Sequence, residues 1–324
     1  MTRTNKVRTG QVRLWMTFAL GLVLCLSYGG MTFDVIASST TQKAAGVSVV
    51  SSQTKQQKLS TYRLKGSLFH TLNIANIRGN IDVQTHPQAD WKLEVTECLK
   101  GKGVPYIPLV LRTGGGEASF SLSREVRHVT NPVCGFYAKY RVYMPKGKAI
   151  SLRSVSGDIV VAGGKTTTFV RTVSGNIRLS SVHDPNVQTV SGDVVVKQSS
   201  GKISLRTVSG KVDLDGGRGA SLFCKSVSGD VKMKKVDVST LRIRTMSGDL
   251  TIDGLRVKKD SRLSTFSGQL TLTFVQPKSM KLVTKTMSGV ISSKYPIGKV
   301  WQRVSGQPHA VIRLRTFSGD IKVN

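Results

Sequence analysis

A six-residue motif of the form Thr-Val-Ser-Gly-Asp-Ile recurs through the second half of this 324-residue chain, and no other feature limits the fold as much. Copies begin at Ser154, Thr172, Thr189, Thr207, Ser226, Thr245, Thr265, Thr286 and Thr316. Their glycines are Gly157, Gly175, Gly192, Gly210, Gly229, Gly248, Gly268, Gly289 and Gly319, at intervals of 18, 17, 18, 19, 19, 20, 21 and 30 residues. The longest interval holds a degenerate copy, Arg303 to Gly306. A unit of this length, rich in β-branched residues and punctuated by Gly and Asn/Asp, forms short strands and corners but cannot bury its own apolar face. Stacking such units about 4.8 Å apart pairs their backbones and buries a continuous core. The expected fold is therefore all-β, a β-solenoid or β-helix-like stack of coils of about 17–21 residues over 150–324, in sequence order, with an excursion between Gly289 and Gly319.

Stacking turns equivalent positions into columns. Three residues before each motif Val stand Leu152, Val170, Val187, Leu205, Cys224, Ile243, Leu263 and Leu314, a row that Thr284 interrupts. Four residues after it stand Ile159, Ile177, Val194, Val212, Val231, Leu250, Leu270 and Ile321. Both rows are expected in the core. The motif Val itself becomes Met246, Phe266, Met287 and Phe317 as the coils lengthen, as though larger side chains filled a wider coil. Periodicity leaves open whether this position or the preceding Thr points inward. The Gly is expected at a corner of positive φ, and the Ser before it as a hydroxyl ladder satisfying corner backbone groups.

Two residues before each motif Val lies a charged column: Arg153, Arg171, Arg206, Lys225, Arg244, Lys285 and Arg315, with Gln188 and Ser264 in the remaining places. Strand alternation turns this column outward. The chain has 48 Lys and Arg against 18 Asp and Glu, a net charge of +30 that draws polyanions. The column reads either as a solubilising face or as a track for a polyanionic glycan, lipopolysaccharide or an anionic lipid surface.

The N-terminus points away from nucleic acid as the partner. Arg3, Lys6, Arg8 and Arg13 precede the uncharged stretch Leu14 to Phe33, the pattern of a signal peptide or membrane anchor over 1–37. The positive flank stays inside, so the residues after Phe33 are extracytoplasmic: membrane-anchored, or exported to the periplasm or cell surface. Residues 38–60, rich in Ser, Thr, Gln and Lys, read as a flexible linker, and 61–149 as a small irregular β region. Outside the cytoplasm Cys98 and Cys134, bracketing a loop-rich stretch, are expected to form a disulfide, while Cys224 reads as a small core residue.

The motifs, with the Gly79-Asn-Ile-Asp-Val element and the strand from Tyr140 to Gly147, resemble a bacterial family named as putative adhesins with β-strand repeats, a domain of unknown function. The resemblance spans about Leu72 to Asn324 and implies a signal or membrane segment followed by a β-repeat array, with no catalytic residues. None of the five histidines has metal-ligand spacing, and no cofactor is expected. The Asp after each Ser-Gly suggests a calcium ladder, but Lys211 and Val290 break it, and turn chemistry is the simpler reading. A polysaccharide-cleaving β-helix would need clustered carboxylates, whereas residues 150–324 hold 11 Asp and no Glu. The expected function is a non-enzymatic, adhesin-like or structural binding protein of the cell envelope. The alternatives are an accessory of envelope-stress signalling acting through a partner membrane protein, and a polysaccharide-cleaving enzyme.

Overall fold

The computed structural model describes residues 40–44, 46–53, 57–98, 109–122, 137–164, 167–275, 280–301 and 310–324. The 1–37 segment lies outside the described residues. So does Cys134, and with it the expected disulfide to Cys98. The regular elements described are all β-strands, joined into one extended sheet. No helix among the described residues is long and apolar enough to cross a membrane.

The motif copies form the predicted parallel solenoid. Ile150–Ser154 pairs in register with Thr168–Thr172, and Ile159–Ala162 with Ile177–Ser180. The same pairing repeats through the Gly210, Gly229, Gly248 and Gly268 coils. Both predicted apolar rows are fully buried, from Leu152 and Ile159 to Leu314 and Ile321. A third inward row, Val161, Leu179, Val196, Leu214, Met233, Ile252, Leu272 and Val323, completes the core. Each such side chain contributes about 1.5–3 kcal/mol of burial. The corner glycines have φ near 130°, and a Cβ on Gly175, Gly192 or Gly210 would stand 2.2–2.3 Å from the carbonyl oxygen of the corner glycine one coil earlier. Only glycine lets successive corners nest this closely.

The ends depart from sequence order. The strand Thr71–Arg78 pairs in parallel with both Ala149–Ser156 and Glu117–Leu122, and Ile81–His86 with both Ile159–Ala162 and Ala138–Pro145. The Gly79 coil is thus a solenoid coil, lying between two that come later in the sequence, and the stack reaches well into 61–149. At the other end Ala310–Arg315 lies between Ser261–Ser264 and Met280–Lys285, and Ile321–Val323 lies between Leu270–Phe274 and Ile291–Ser293. The glycines stack in the order Gly268, Gly319, Gly289. This corrects the expected sequence order: the chain skips one level after Phe274 and returns to fill it, and motif spacing does not encode which level a coil occupies.

Residues 38–60, expected as a linker, also differ. Thr40–Ala44, Val47–Gln53 and Gln57–Leu64 form an antiparallel run that continues through Trp91–Cys98 onto Ala138–Pro145. Among the described side chains of 38–60 only Val47 and Ser60 are buried, and the run is held by backbone pairing, in which Val47 pairs with Leu64 and Leu64 with Trp91. The Trp91 indole donates to the Phe69 carbonyl at 3.2 Å.

The motif corner resolves the open question of facing. Thr172, Thr189, Thr207, Thr245, Thr265 and Thr316 are buried, while the motif Val positions are exposed. Met246 and Phe266 are each 56% exposed, so they do not fill the wider coils. The corner hydroxyl belongs to the Thr rather than to the Ser. Thr172, Thr245, Thr265 and Thr316 donate to the carbonyl two residues on at 3.1–3.3 Å, while the motif Ser side chains face solvent. Thr reaches this carbonyl because it is the last inward position before the glycine reverses the chain.

The Asp column staples coil to coil. Side-chain oxygens of Asn80, Asp158, Asn176 and Asp193 accept the backbone N–H of Asp158, Asn176, Asp193 and Lys211 at 2.9–3.1 Å. Asp230 and Asp249 accept from Asp249 and Gln269, and Asp320 from Val290. These carboxylates work as turn and staple groups. Lys211 offers no oxygen to the N–H of Asp230, so the run breaks there. Lys211→Asn is expected to restore the staple and raise unfolding stability by about 1 kcal/mol. Lys211→Gln, with the longer side chain that makes no such bond at Gln269, should give no gain; equal denaturant midpoints for the two variants would refute the staple.

Candidate binding face

The strand preceding each corner sets the face. Its inward residues are the core rows, and its outward residues stand in columns about 4.8 Å apart. All seven predicted basic residues are exposed on this face. Register places them in one line: Arg153, Arg171, Gln188, Arg206, Lys225, Arg244, Ser264, Arg315 and Lys285. Lys285 ends the line because of the inverted order of the last coils. The ion pairs of Arg256 with Asp237 at 3.5 Å and Arg313 with Asp260 at 3.2 Å use other residues, and no described carboxylate forms an ion pair with the seven. Arg153 and Arg206 lie over the rings of Phe169 and Phe223, with Cζ 5.7 and 5.3 Å from the centroids, which holds those guanidinium groups against the face.

Two further columns flank this line, one not singled out in the sequence and one that the sequence left open between core and surface. Four residues before the motif Val position, Arg242, Arg262 and Arg313 align in neighbouring coils; Arg242 and Arg262 add to the cationic line, while Arg313 pairs with Asp260. Reading one more outward position per coil would have found them. On the other side runs the motif Val column itself: Val155, Val173, Val190 and Val208, then Met246, Phe266, Phe317 and Met287. Phe266 and Phe317 stack with centroids 4.7 Å apart and planes 4° apart. Cationic and apolar columns thus lie side by side.

Other reactive groupings are tied into the scaffold. His183 Nδ1 lies 2.9 Å from Ser200 Oγ and its Nε2 3.5 Å from Asp184 Oδ2, while Asp184 Oδ1 takes the N–H of Lys202. This Ser/His/Asp set ties one coil to the next at a turn where Asp184 has positive φ. Cys224 is free and buried in the core, and burial pushes its thiol up to about 12, so it carries no thiolate at neutral pH. In the N-terminal sheet, burial first and then the charge of nearby Glu97 push Tyr62 up to about 12 and Tyr140 higher still. Lys58 lies 3.8 Å from the buried Glu97.

These features define a helix-free β-solenoid, among the described residues, with an exposed amphiphilic face. The chain belongs to the Toastrack DUF4097 family, which matches residues 121–324. Among solved structures it is similar to a "putative adhesin" from Bacteroides fragilis at 14% identity, covering 82% of this chain and 97% of that one with a TM-score of 0.41. It is similar to a "putative lipid binding protein" from Parabacteroides distasonis at 13% identity, with coverage of 82% and 96% and a TM-score of 0.40. A "putative cell adhesion protein" from Clostridium sporogenes matches at 8% identity, with coverage of 82% and 98% and a TM-score of 0.25. No curated protein matches the chain.

Proposed function

We propose that the protein is a non-enzymatic, adhesin-like binding protein of the cell envelope that holds an anionic envelope ligand along its basic column. The observation that carries this reading is the alignment of Arg153, Arg171, Arg206, Lys225, Arg244, Arg315 and Lys285 in one exposed line without carboxylate partners among the described residues. Like charges stacked at this spacing cost some tenths of a kcal/mol per neighbouring pair. A bound polyanion removes that cost and releases counterions. The column's use of strand positions rather than a cleft suits a linear or planar ligand. Five of the 11 Asp in 150–324, namely Asp158, Asp193, Asp230, Asp249 and Asp320, are occupied as coil staples. The basic-flanked apolar stretch from Leu14 to Phe33 supports an extracytoplasmic location, anchored or exported.

The test is heparin retention of the full chain in detergent micelles. Retention should fall steeply with salt. Replacing Arg171, Arg206 and Arg244 with Gln should lower the elution salt more than replacing Lys232, Lys258 and Lys259, which are exposed but off the column. Folding should be kept in both, since exposed substitutions usually cost within about 0.5 kcal/mol each. Equal loss from the two triple variants would make the column a matter of net charge and sink the reading.

A further inference from the structure

The columns beside the basic line change together. In the coils of Gly157 to Gly210 the neighbouring apolar column is Val and the outer column is Ser151, Phe169, Asn186 and Ser204. The Gly229 coil has half-buried Val227 and Phe223 at these places, and from the Gly248 coil on the apolar column becomes Met246, Phe266, Phe317 and Met287 while the outer column becomes Arg242, Arg262, Arg313 and Val283. Large, soft apolar side chains that are 46–70% exposed therefore stand beside at least one Lys or Arg in each of these coils. Val290, at the last corner, is 68% exposed and extends the apolar end. Exposed Met and Phe in register are costly to leave in water, so this edge has a partner.

We infer that this C-terminal third of the face docks on an anionic bilayer, with Met246, Phe266, Phe317 and Met287 entering between headgroups and the flanking Arg residues on phosphates. The inference rests on the proposed basic column and names its occupant. A polysaccharide would use the guanidinium groups and leave the Met/Phe edge wet. A second copy would cover the edge but would set cationic columns against cationic columns. An anionic lipid surface alone offers phosphate beside hydrocarbon in one plane, which is the arrangement of the columns. The solenoid then lies with its long axis along the membrane, since the columns run along the stack.

Methionine oxidation reads this directly in the unmodified chain. The full chain is incorporated into vesicles of phosphatidylcholine, or of phosphatidylcholine with phosphatidylglycerol, and treated with hydrogen peroxide. Met246 and Met287 are exposed and oxidise readily, while Met233 is fully buried and reports unfolding. An anchor formed by the apolar stretch Leu14 to Phe33 would tether the chain equally in both vesicles, so a difference between them belongs to the face. The expected result is oxidation of Met246 and Met287 slowed roughly tenfold by the anionic lipid, with Met233 inert in both. The double variant Phe266→Ser, Phe317→Ser should lose that protection while keeping its heparin retention. Equal oxidation in the two vesicles, with heparin retention still dependent on Arg171, Arg206 and Arg244, would overturn the bilayer inference and leave the polyanion reading standing. Protection that appears in detergent and grows with protein concentration would overturn it in favour of a second copy. Protection that survives the double Phe variant would overturn it as well.

Discussion

A chain carrying Gly210→Ala is expected to be destabilised by roughly 3 kcal/mol or more. Gly210 sits at φ 137°, a conformation that residues with a Cβ rarely adopt. The added carbon would also lie 2.2 Å from the Gly192 carbonyl oxygen and 2.8 Å from its carbon. Neither neighbour can move alone, because both are backbone held by the same stack. The Gly210 N–H donates to the Ser228 carbonyl and the Gly192 N–H to the Ser209 carbonyl, so a shift at one corner propagates to the next. Ser209→Ala, one residue away and solvent-facing, should stay within about 0.5 kcal/mol. Denaturant unfolding of the two variants compares them, and similar midpoints would show that the corners are not nested as described.

Removing residues 310–324 is expected to release the coil that precedes them in sequence while leaving the rest of the stack folded. Met280–Lys285 and Ile291–Ser293 reach the solenoid through Ala310–Arg315 and Ile321–Val323. Deletion takes away the buried Ile312, Leu314, Ile321 and Val323, on the order of 8 kcal/mol of apolar burial. In a stack where each coil contacts its neighbours, the loss stays local. Hydrogen exchange should show amides of 280–293 losing protection, with 212–252 unchanged. Protection of 280–293 that survived the deletion would mean the coil can dock directly on the Gly268 coil, and the insertion would then carry no energetic weight.

The solenoid and its two main core rows were legible because each repeats a side-chain type at a fixed offset from a glycine. Leu152 and Ile159 and their equivalents needed only that offset. The facing of the motif Val was only partly legible. Alternation carried on from the inward Val170 and outward Arg171 would have put Thr172 inward and Val173 outward, but enlargement to Phe266 and Phe317 suggested the core. Hydrogen bonding accompanies that facing at Thr172, Thr245, Thr265 and Thr316, whose hydroxyls donate to the carbonyl two residues on, whereas Thr189 and Thr207 face inward without such a bond. The order of the last coils was hidden for a different reason. Parallel pairing depends on which coil a strand meets in space, and Thr265 and Thr316 carry nearly the same motif as Thr286. The basic column was visible as a charge pattern. The face became an amphiphilic one only when the exposed Val, Met and Phe positions were set beside it.

The Asx oxygens have one further consequence, for how the molecule bears load. Five coils, from Asn80 to Lys211, are fastened each to the next by a side-chain bond, and three more, from Asp230 to Gln269, are fastened likewise. Between Lys211 and Asp230, and again between Gln269 and Asp320, backbone pairing and core contacts hold without that extra fastening. A pull along the long axis meets two seams there, so the rod would part as three blocks of unequal length rather than fray coil by coil. The second seam lies within the Phe266–Phe317 stack, whose paired rings bridge the gap where the carboxylate row is interrupted.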